Sequence, residues 1–252
     1  MDLYTFNTII WIWIGIAIMT FTLLLKVTAP YGRHSKSNWG PMISNRTGWI
    51  IMEIPALVLP VLFFILGDGN KPLVTWIFLS LFTFHYLNRV AVFPFRLKTK
   101  GKKMPIIIVL MAICFNLVNG FSIGYFLGNF AGDYSLAWLG DWRFILGVIL
   151  FFMGMYINWK SDNRLIHLRK NSENGYHIPY GGLFKYVSCP NHFGEIIEWI
   201  GYAVLTWCLP GLSFAAWTMA NLIPRALDHH KWYEGHFEDY PKERKAVIPF
   251  TL

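Results

Sequence analysis

Residues 49–66 read WIIMEIPALVLPVLFFIL, an apolar run about as long as an α-helix needs to cross a lipid bilayer. Its only charged residue is Glu53, and the breaks at Pro55 and Pro60 can be accommodated in a membrane by neighbouring helices or a cavity. Similar runs recur along the 252 residues, of which 55% are hydrophobic and 14% charged. The mean hydropathy is +0.41. We therefore expect an all-α, polytopic membrane protein rather than a water-soluble enzyme.

Hydropathy predicts seven transmembrane helices, near residues 6–27, 47–66, 73–95, 104–130, 143–160, 193–209 and 211–228. The loops after the first, third and fifth, and the C-terminal tail, carry 4, 5, 5 and 5 Lys or Arg residues when the adjoining span ends are included. The opposite loops carry only Lys71 and Arg143. Because basic loops face the cytosol, we expect an outside N-terminus and a cytosolic C-terminus, in a bacterial inner membrane or the endoplasmic reticulum. The net charge of +8 then needs no nucleic-acid partner to explain it.

Ionisable side chains inside these spans indicate a cavity or a reaction site, because a charge is unstable in lipid. Glu53 lies in the second span beside Pro55, with no basic residue in the same span. The third span carries His85, Tyr86 and Arg89 within about one helical turn. The alternatives are a protonated Glu53 at a helix contact and an interfacial position for Tyr86. Together, however, these residues predict a polar pocket.

Three stripes of polar residues each fall on one face of a predicted helix near its cytosolic end. Their positions are Asn158, Asp162 and Arg169; Asn191, Glu195 and Glu198; and Arg225, His229 and Tyr233. Cations can bind phosphates, whereas amide, carboxylate and phenol groups can bind a sugar and a carboxamide. The bland alternative is a set of solvated helix ends, but three converging stripes favour a nucleotide site.

Several common sites are missing from the sequence. No GxGxxG or GxxxxGK[ST] occurs, so a nucleotide would have to bind among the helices. The eight histidines form no HxxxH or HxxHH box, and we predict no metal site. Cys114, Cys189 and Cys208 form no CxxC pair, so we interpret them as reduced, structural thiols.

Four segments together resemble the steroid 5α-reductase family, also called 3-oxo-5α-steroid 4-dehydrogenases. They read NWKSDNRLIHLRK (158–170), YHIPYGGLFKYVS (176–188), NHFGEIIEWIGYA (191–203) and HHKWYEGHFEDYPKERKAVIPF (229–250), with MEIP and HYLNR matching upstream. The resemblance implies a seven-helix membrane enzyme that uses NADPH to reduce the C4=C5 double bond of 3-oxo-Δ4 steroids to 5α-dihydro steroids. It implies a single domain, 1–252, with substrate-side helices in 1–130 and an NADPH-binding half in 131–252. The apolar steroid would come from the bilayer, and we expect no obligate protein partner.

The resemblance also implies roles for individual residues. Glu53 and Tyr86 would contact the steroid 3-keto group. The NADPH pocket would contain Asn158, Asp162, Arg169, Tyr176, Asn191, Glu195, Trp199, Arg225, His229 and Tyr233. Among the basic residues, we select Arg169 for the ribose 2′-phosphate. One position departs from the family pattern, because Met52 stands where a glutamine commonly precedes the glutamate.

An enone accepts hydride at its β-carbon when the charge that develops on the carbonyl oxygen is stabilised. We expect Tyr86, hydrogen-bonded to Glu53, to donate to O3 while hydride reaches C5, after which the enol takes a proton at C4. Other candidates are a membrane reductase of enoyl-CoA, polyprenal or sterol, and an isoprenylcysteine-type methyltransferase that uses S-adenosylmethionine. The methyltransferases' RHP-like signature is missing at SCPNHFGE. A non-enzymatic lipid transporter would use Glu53 and Arg89 to line its pathway.

Overall fold

The computed structural model describes residues 1–35, 37–97, 99, 101–170 and 176–252, apart from the side chains of residues 37, 169 and 170. The helices within these ranges are α1 (Leu3–Leu24), α2 (Asn45–Leu66), α3 (Leu73–Leu87), α4 (Phe93–Arg96), α5 (Ile106–Asn129), α6 (Trp142–Lys170), α7 (Pro190–Thr206) and α8 (Leu209–His236). A π-helical turn, Asn88–Val92, joins α3 to α4. Two short strands, β1 (Met42–Ser44) and β2 (Lys103–Pro105), pair antiparallel with Ile43 opposite Met104.

Five helical segments in the described part are long and apolar enough to cross a membrane: α1, α2, the continuous run Leu73–Arg96, α5 and Trp142–Leu168 of α6. The predicted all-helical, multi-pass class is thereby confirmed. The predicted sixth and seventh spans correspond to α7 and α8, which do not meet the same criterion. Helix α7 has 17 residues, short of the roughly 20 that a crossing needs. The C-terminal part of α8 is polar, with Arg225, Asp228 and Lys231.

Glycines bring α2 and α5 into backbone contact. A Cβ added at Gly124 would lie 2.4 Å from the Pro60 carbonyl oxygen, and one at Gly128 would lie 2.7 Å from that of Phe63. Helix α5 runs without interruption past these positions. The glycines therefore allow close packing against the proline-containing helix.

Helices α6 and α7 are packed in the same way, and their contact builds the site. A Cβ at Gly154 would lie 2.3 Å from the Glu198 backbone nitrogen, and one at Gly194 would lie 2.5 Å from that of Asn158. No side chain fits between the two backbones at these points. The polar residues in the C-terminal half of α6 are therefore held directly against the first turns of α7.

An aromatic core fixes the remaining helices. Trp199 and Tyr202 of α7 are almost fully buried against Phe82 of α3 and Phe214 of α8. Trp13 of α1 contacts Trp217 of α8, with ring centroids 4.5 Å apart. Helix α1 therefore packs on the last helix of the chain, which closes the helical bundle.

The C-terminal tail is tied to the segment before α7. Lys245 forms a parallel bridge with Val187, and the backbone N–H groups of Ser188 and Cys189 donate to Lys245 and Ala246. Cys189 lies in this contact, and burial raises the pKa of its thiol to about 12. The three cysteines are unbridged; Cys189 and Cys208 are buried, whereas Cys114 is exposed.

Candidate active site

A cavity of about 620 Å³ lies between α1, α2, α3, α5, α7 and α8. Its walls are mostly apolar and aromatic, and include Met111, Phe115, Trp199, Phe214 and Trp217. A smaller set of polar wall residues includes Glu53, His85, Tyr86, Arg89, Asn116 and Glu195. A pocket of this size, apolar with a few converging polar groups, suits a small apolar ligand that carries one polar end.

Glu53 is held by two partners from other helices. The Arg89 guanidinium donates to Oε1 across 3.4 Å, and the Asn116 amide lies 3.5 Å from Oε2. Asn116 also donates to the Met52 carbonyl oxygen across 2.6 Å, which fixes its position. The polar pocket predicted around Glu53 is thus present, with a cation beside the carboxyl group.

Arg89 reaches Glu53 because it lies in the π-helical turn that follows α3. Its guanidinium stacks over Trp49 at 4.6 Å and Phe93 at 5.2 Å, so the aliphatic stem and the charge are both covered. The sequence placed Arg89 inside the third span without a partner. The structure pairs it with the carboxylate of the second span.

Tyr86 lines the cavity but does not bond to Glu53 as we expected. Its ring packs against His85 and Trp199, with centroids 5.1 and 6.1 Å away. Within the described residues its hydroxyl makes no hydrogen bond, so it is available to a ligand in the cavity. The expected Tyr86–Glu53 hydrogen bond is therefore wrong for this structure, in which Arg89 and Asn116 are the partners of the Glu53 carboxylate.

His85 is bonded to Glu198, a contact that the sequence did not predict. His85 Nδ1 and Glu198 Oε1 lie 2.6 Å apart, and the side chains are only 3% and 0% exposed. The helical spacing had grouped Glu198 with Asn191 and Glu195. Glu198 instead pairs with His85 of α3 and not with the Asn158–Asn191–Glu195 cluster.

Two of the three predicted polar stripes meet between α6 and α7. Asn158 donates to the Asn191 carbonyl oxygen across 3.0 Å and to Glu195 across 3.3 Å. The Asn191 amide in turn donates to Asp162 across 3.1 Å. Glu195 also lines the cavity, so this amide and carboxylate cluster is continuous with the chamber that holds Glu53 and Tyr86.

The third stripe, on α8, faces the loop between α1 and α2. Arg225 donates to the carbonyl oxygens of Ala29 and Tyr31, across 2.8 and 2.6 Å, and stacks over the Tyr31 ring at 3.9 Å. A Cβ at Gly32, whose φ is +60°, would lie 3.2 Å from the same guanidinium. Glycine therefore lets the loop backbone pass this close to Arg225.

The same loop contacts the other two residues of that stripe. His34 Nε2 lies 3.0 Å from His229 Nδ1. Arg33 donates to the Tyr233 hydroxyl across 3.2 Å and lies over the rings of Tyr176, Trp232 and Tyr233 at 4.5–5.0 Å. Sequence reasoning missed this loop. The signal available was only a glycine followed by two basic residues, GRH, at 32–34.

The predicted site residues whose side chains the structure describes lie at the cavity or in the contacts given above. Glu195, Trp199 and Arg225 line the cavity together with Glu53 and Tyr86, and Met52 lines it beside Glu53. The Arg33 guanidinium lies over the Tyr176 ring and so connects Tyr176 to the α8 stripe. The side chain of Arg169 lies outside the described residues. No group of three His, Cys, Asp or Glu side chains in the described part could hold a metal ion.

A dinucleotide fits the chemistry of these groups. Nη1 of Arg33 is buried and has no hydrogen-bond partner among the described residues, and a second cation, Arg225, is nearby. The amides of Asn158 and Asn191 and the carboxylates of Asp162 and Glu195 supply groups that can bind a carboxamide and a ribose.

Comparison with known proteins gives a consistent family. The family model described as 3-oxo-5-alpha-steroid 4-dehydrogenase matches residues 102–252. The chain is 43% identical to steroid 5-alpha-reductase DET2 of Gossypium hirsutum over 93% of each chain. It is 44% identical to the protein of that name in Arabidopsis thaliana, over 92% of this chain and 91% of the relative. It is 42% identical to 3-oxo-5-alpha-steroid 4-dehydrogenase 1 of Bos taurus, over 94% of this chain and 93% of the relative.

Proposed function

The chain belongs to the 3-oxo-5-alpha-steroid 4-dehydrogenase family, and on that premise we propose that it uses NADPH to reduce the C4=C5 double bond of a 3-oxo-Δ4 steroid. The product is the 5α-dihydro steroid. One observation supports placing this reaction at the cavity. The cavity contains the Glu53–Arg89 pair, the Tyr86 hydroxyl and three residues of the predicted cofactor set.

The substrate is an apolar molecule with one polar end, as the walls of the cavity require. The aromatic and aliphatic walls bury the ring system, and the polar group at Glu53, Tyr86 and Arg89 receives the ketone. The steroid reaches the cavity from the bilayer, in which it dissolves. No part of this description needs a protein partner.

Tyr86 is the residue that activates the enone. Its hydroxyl has no partner among the described residues, so it can donate a hydrogen bond or a proton to the steroid O3. Arg89 and Glu53 lie beside it and fix the electrostatic field at the developing oxyanion. One such donor contributes about 3–4 kcal/mol to the stabilisation of the transition state. Water is excluded by the apolar walls, which strengthens the interaction.

NADPH, when bound, supplies the hydride that C5 accepts. Its carboxamide and ribose would be held by Asn158, Asp162, Asn191 and Glu195, with Trp199 in the same cavity. Its phosphates would be held by Arg33 and Arg225, with His229 and Tyr233 beside them. Tyr176 and Arg169 complete the predicted pocket, and Arg169 remains our sequence-based choice for the 2′-phosphate.

The predicted topology suits these two reactants. Seven crossings, with the N-terminus outside, put the basic loops and the tail in the cytosol, where NADPH is available. Helices α7 and α8 provide the last two crossings, although they are shorter or more polar than the others because they line the cofactor site. Residues 1–130 supply most of the substrate side, and 131–252 supply most of the cofactor side.

Product analysis tests this function directly. Purified protein in detergent is incubated with testosterone or progesterone and NADPH, beside parallel reactions with NADH and with a Glu53→Gln variant. We expect the 5α-dihydro product with NADPH, much less with NADH, and a severe loss in the variant.

Two other outcomes would test the substrate assignment and the cofactor assignment separately. NADPH binding without any steroid product would overturn the steroid assignment and favour an enoyl-CoA, polyprenal or sterol as the substrate. Failure to bind NADPH in a folded protein would contradict the reductase assignment as a whole.

A further inference from the structure

The buried pair His85–Glu198 has no part in the mechanism above, although it lies at the cavity. Nδ1 and Oε1 are 2.6 Å apart, and neither side chain is more than 3% exposed. His85 lines the cavity, whereas Glu198 lies behind it. The pair also joins α3, which carries Tyr86, to α7, which carries Glu195 and Trp199.

We propose that His85, held by Glu198, is the acid that delivers a proton to C4 of the steroid after C5 has been reduced. This inference rests on the proposed steroid reduction and adds a second proton donor to it. Tyr86 acts on the oxygen, and His85 acts on the carbon.

The positions of the two side chains support this division. His85 and Tyr86 are consecutive on α3, their ring centroids are 5.1 Å apart, and both line the same cavity. The O3 and C4 atoms of an enone are separated by one carbon atom, so the two donors must be close neighbours. Consecutive helical residues point about 100° apart, which lets them approach different atoms of one ligand.

The hydrogen bonding of His85 leaves one ring nitrogen for the ligand. Nδ1 is bonded to Glu198, and Nε2 makes no hydrogen bond within the described residues. A carboxylate hydrogen-bonded to one ring nitrogen fixes the orientation of the imidazole ring. Oε2 of Glu198 has no partner in the described part of the chain, so His85 is the group that compensates this buried carboxyl.

Other charged groups surround the pair on each packed element. Glu195 extends from α7, Glu53 from α2, and Arg89 from the turn after α3. Arg89 is bonded to Glu53, so the charges of these two side chains offset each other. His85 and Glu198 therefore form a second buried acid–base pair at the cavity, separate from the Glu53–Arg89 pair.

The protons balance in this scheme. With hydride on C5 and the Tyr86 proton on O3, the substrate is an enol. The C3=C4 electron pair takes the proton from Nε2 of His85 while the O3–H proton returns to Tyr86, which forms the saturated ketone. The neutral His85 regains one proton from water, so the reaction consumes one NADPH and one proton in total.

The stereochemistry of labelling at C4 tests the proposal. The holoenzyme reduces testosterone in D₂O, and NMR determines which of the two C4 positions of the product carries deuterium. A fixed donor places deuterium at one position. In His85→Gln, the enol should be protonated by solvent, so we expect deuterium at both positions and a kcat at least about 100-fold lower.

Two further variants keep the test decisive. Glu198→Gln preserves a hydrogen-bond partner for His85 but removes the charge, and we expect intermediate loss of rate with partial loss of labelling selectivity. His167→Gln changes an exposed histidine of α6 and should leave rate and labelling as in the wild type.

A single labelled position in His85→Gln, at whatever rate, would overturn the proposal, since a purely structural role lowers the rate without changing the donor. If His85→Gln does not fold, the Glu198→Gln result decides: wild-type rate and selectivity would reject the proposal. Failure of the wild-type enzyme to make a 5α-dihydro steroid would instead reject the proposed function itself.

Discussion

The Arg89 guanidinium lies 3.4 Å from the Glu53 carboxylate, which links the helical turn after Tyr86 to the proline-containing helix α2. Both side chains are largely buried, at 15% and 10% exposure. Removing one partner leaves an unpaired charge in a low-dielectric site, which is worse than removing both. The contact therefore holds two walls of the cavity together. It also contributes to the electrostatic field inside the cavity.

This relationship predicts strong coupling between the two positions. Glu53→Gln and Arg89→Met should each lower the thermal stability of the detergent-solubilised protein, and the double variant should be more stable than the sum of the single effects implies. We expect a coupling free energy of about 0.5–3 kcal/mol. Unfolding of the wild type and three variants under one set of conditions measures it. Strict additivity would show that the ion pair does not form.

Tyr86→Phe should separate chemistry from binding. The variant keeps the ring that packs against Trp199 and loses only the hydroxyl, so the fold and NADPH affinity should be unchanged. We expect kcat for steroid reduction to fall about 10²–10³-fold, as for removal of one oxyanion donor. Steady-state kinetics and NADPH fluorescence titration measure the two quantities. Near-normal turnover would reject Tyr86 as the donor to O3.

The membrane class and the polar residues of the facing stripes could be predicted because their sequence signals are local. Apolar runs reveal helices, and helical spacing brought Asn158, Asp162, Asn191 and Glu195 to facing stripes that are hydrogen-bonded in the structure. Hydropathy also located Glu53 and Arg89 at membrane depth. It could not pair them, because the pairing depends on the π-helical turn and on how α2 packs beside α3.

Contacts between distant segments explain the remaining misses. The bond from His85 to Glu198 spans 113 residues, and the loop around Arg33 meets α8 about 200 residues later in the chain. Neither contact produces a periodic pattern in the sequence, so neither could be predicted from helical spacing. Met52, read from the sequence as a missing polar contact, lines the cavity and packs with Met104 and Val109, so its side chain has an apolar role in this fold.

The glycine contact between α6 and α7 predicts a large effect from one methyl group. Gly154→Ala would place a Cβ 2.3 Å from the Glu198 backbone nitrogen, so the helices must move apart. We expect destabilisation of at least about 1–3 kcal/mol, together with loss of activity, because Asn158 and Glu195 separate. Thermal unfolding in detergent is the measurement.

Gly15→Ala is the matched control for that substitution. Gly15 lies within α1, and nothing is within 4 Å of its Cβ position. The added methyl group should leave stability unchanged or raise it slightly, since alanine favours helices. Equal destabilisation of both variants would contradict the backbone contact between α6 and α7.

The buried environment of Cys189 predicts that its thiol is unreactive in the folded protein. Burial raises its pKa to about 12, so the thiol stays protonated at pH 8 and gains reactivity only as pH rises toward that value. Iodoacetamide at pH 8 should not modify Cys189 in the folded protein but should modify it after denaturation. Mass spectrometry of the peptide measures this. Rapid modification in the folded state would show that the tail does not cover the segment before α7.

Arg33 should contribute to NADPH affinity, since its buried Nη1 has no partner among the described residues and three aromatic rings orient its guanidinium. A charge-assisted hydrogen bond to a phosphate is equivalent to about 1.5–3 kcal/mol, so Arg33→Gln should raise the Kd for NADPH at least about tenfold. Lys160→Gln removes the same charge from an exposed site on α6 and should have little effect. Isothermal titration with NADPH and NADH measures both variants. A loss confined to NADPH would identify the 2′-phosphate as the partner of Arg33, an equal loss for both nucleotides would identify the pyrophosphate, and unchanged affinity would exclude Arg33 from the cofactor site.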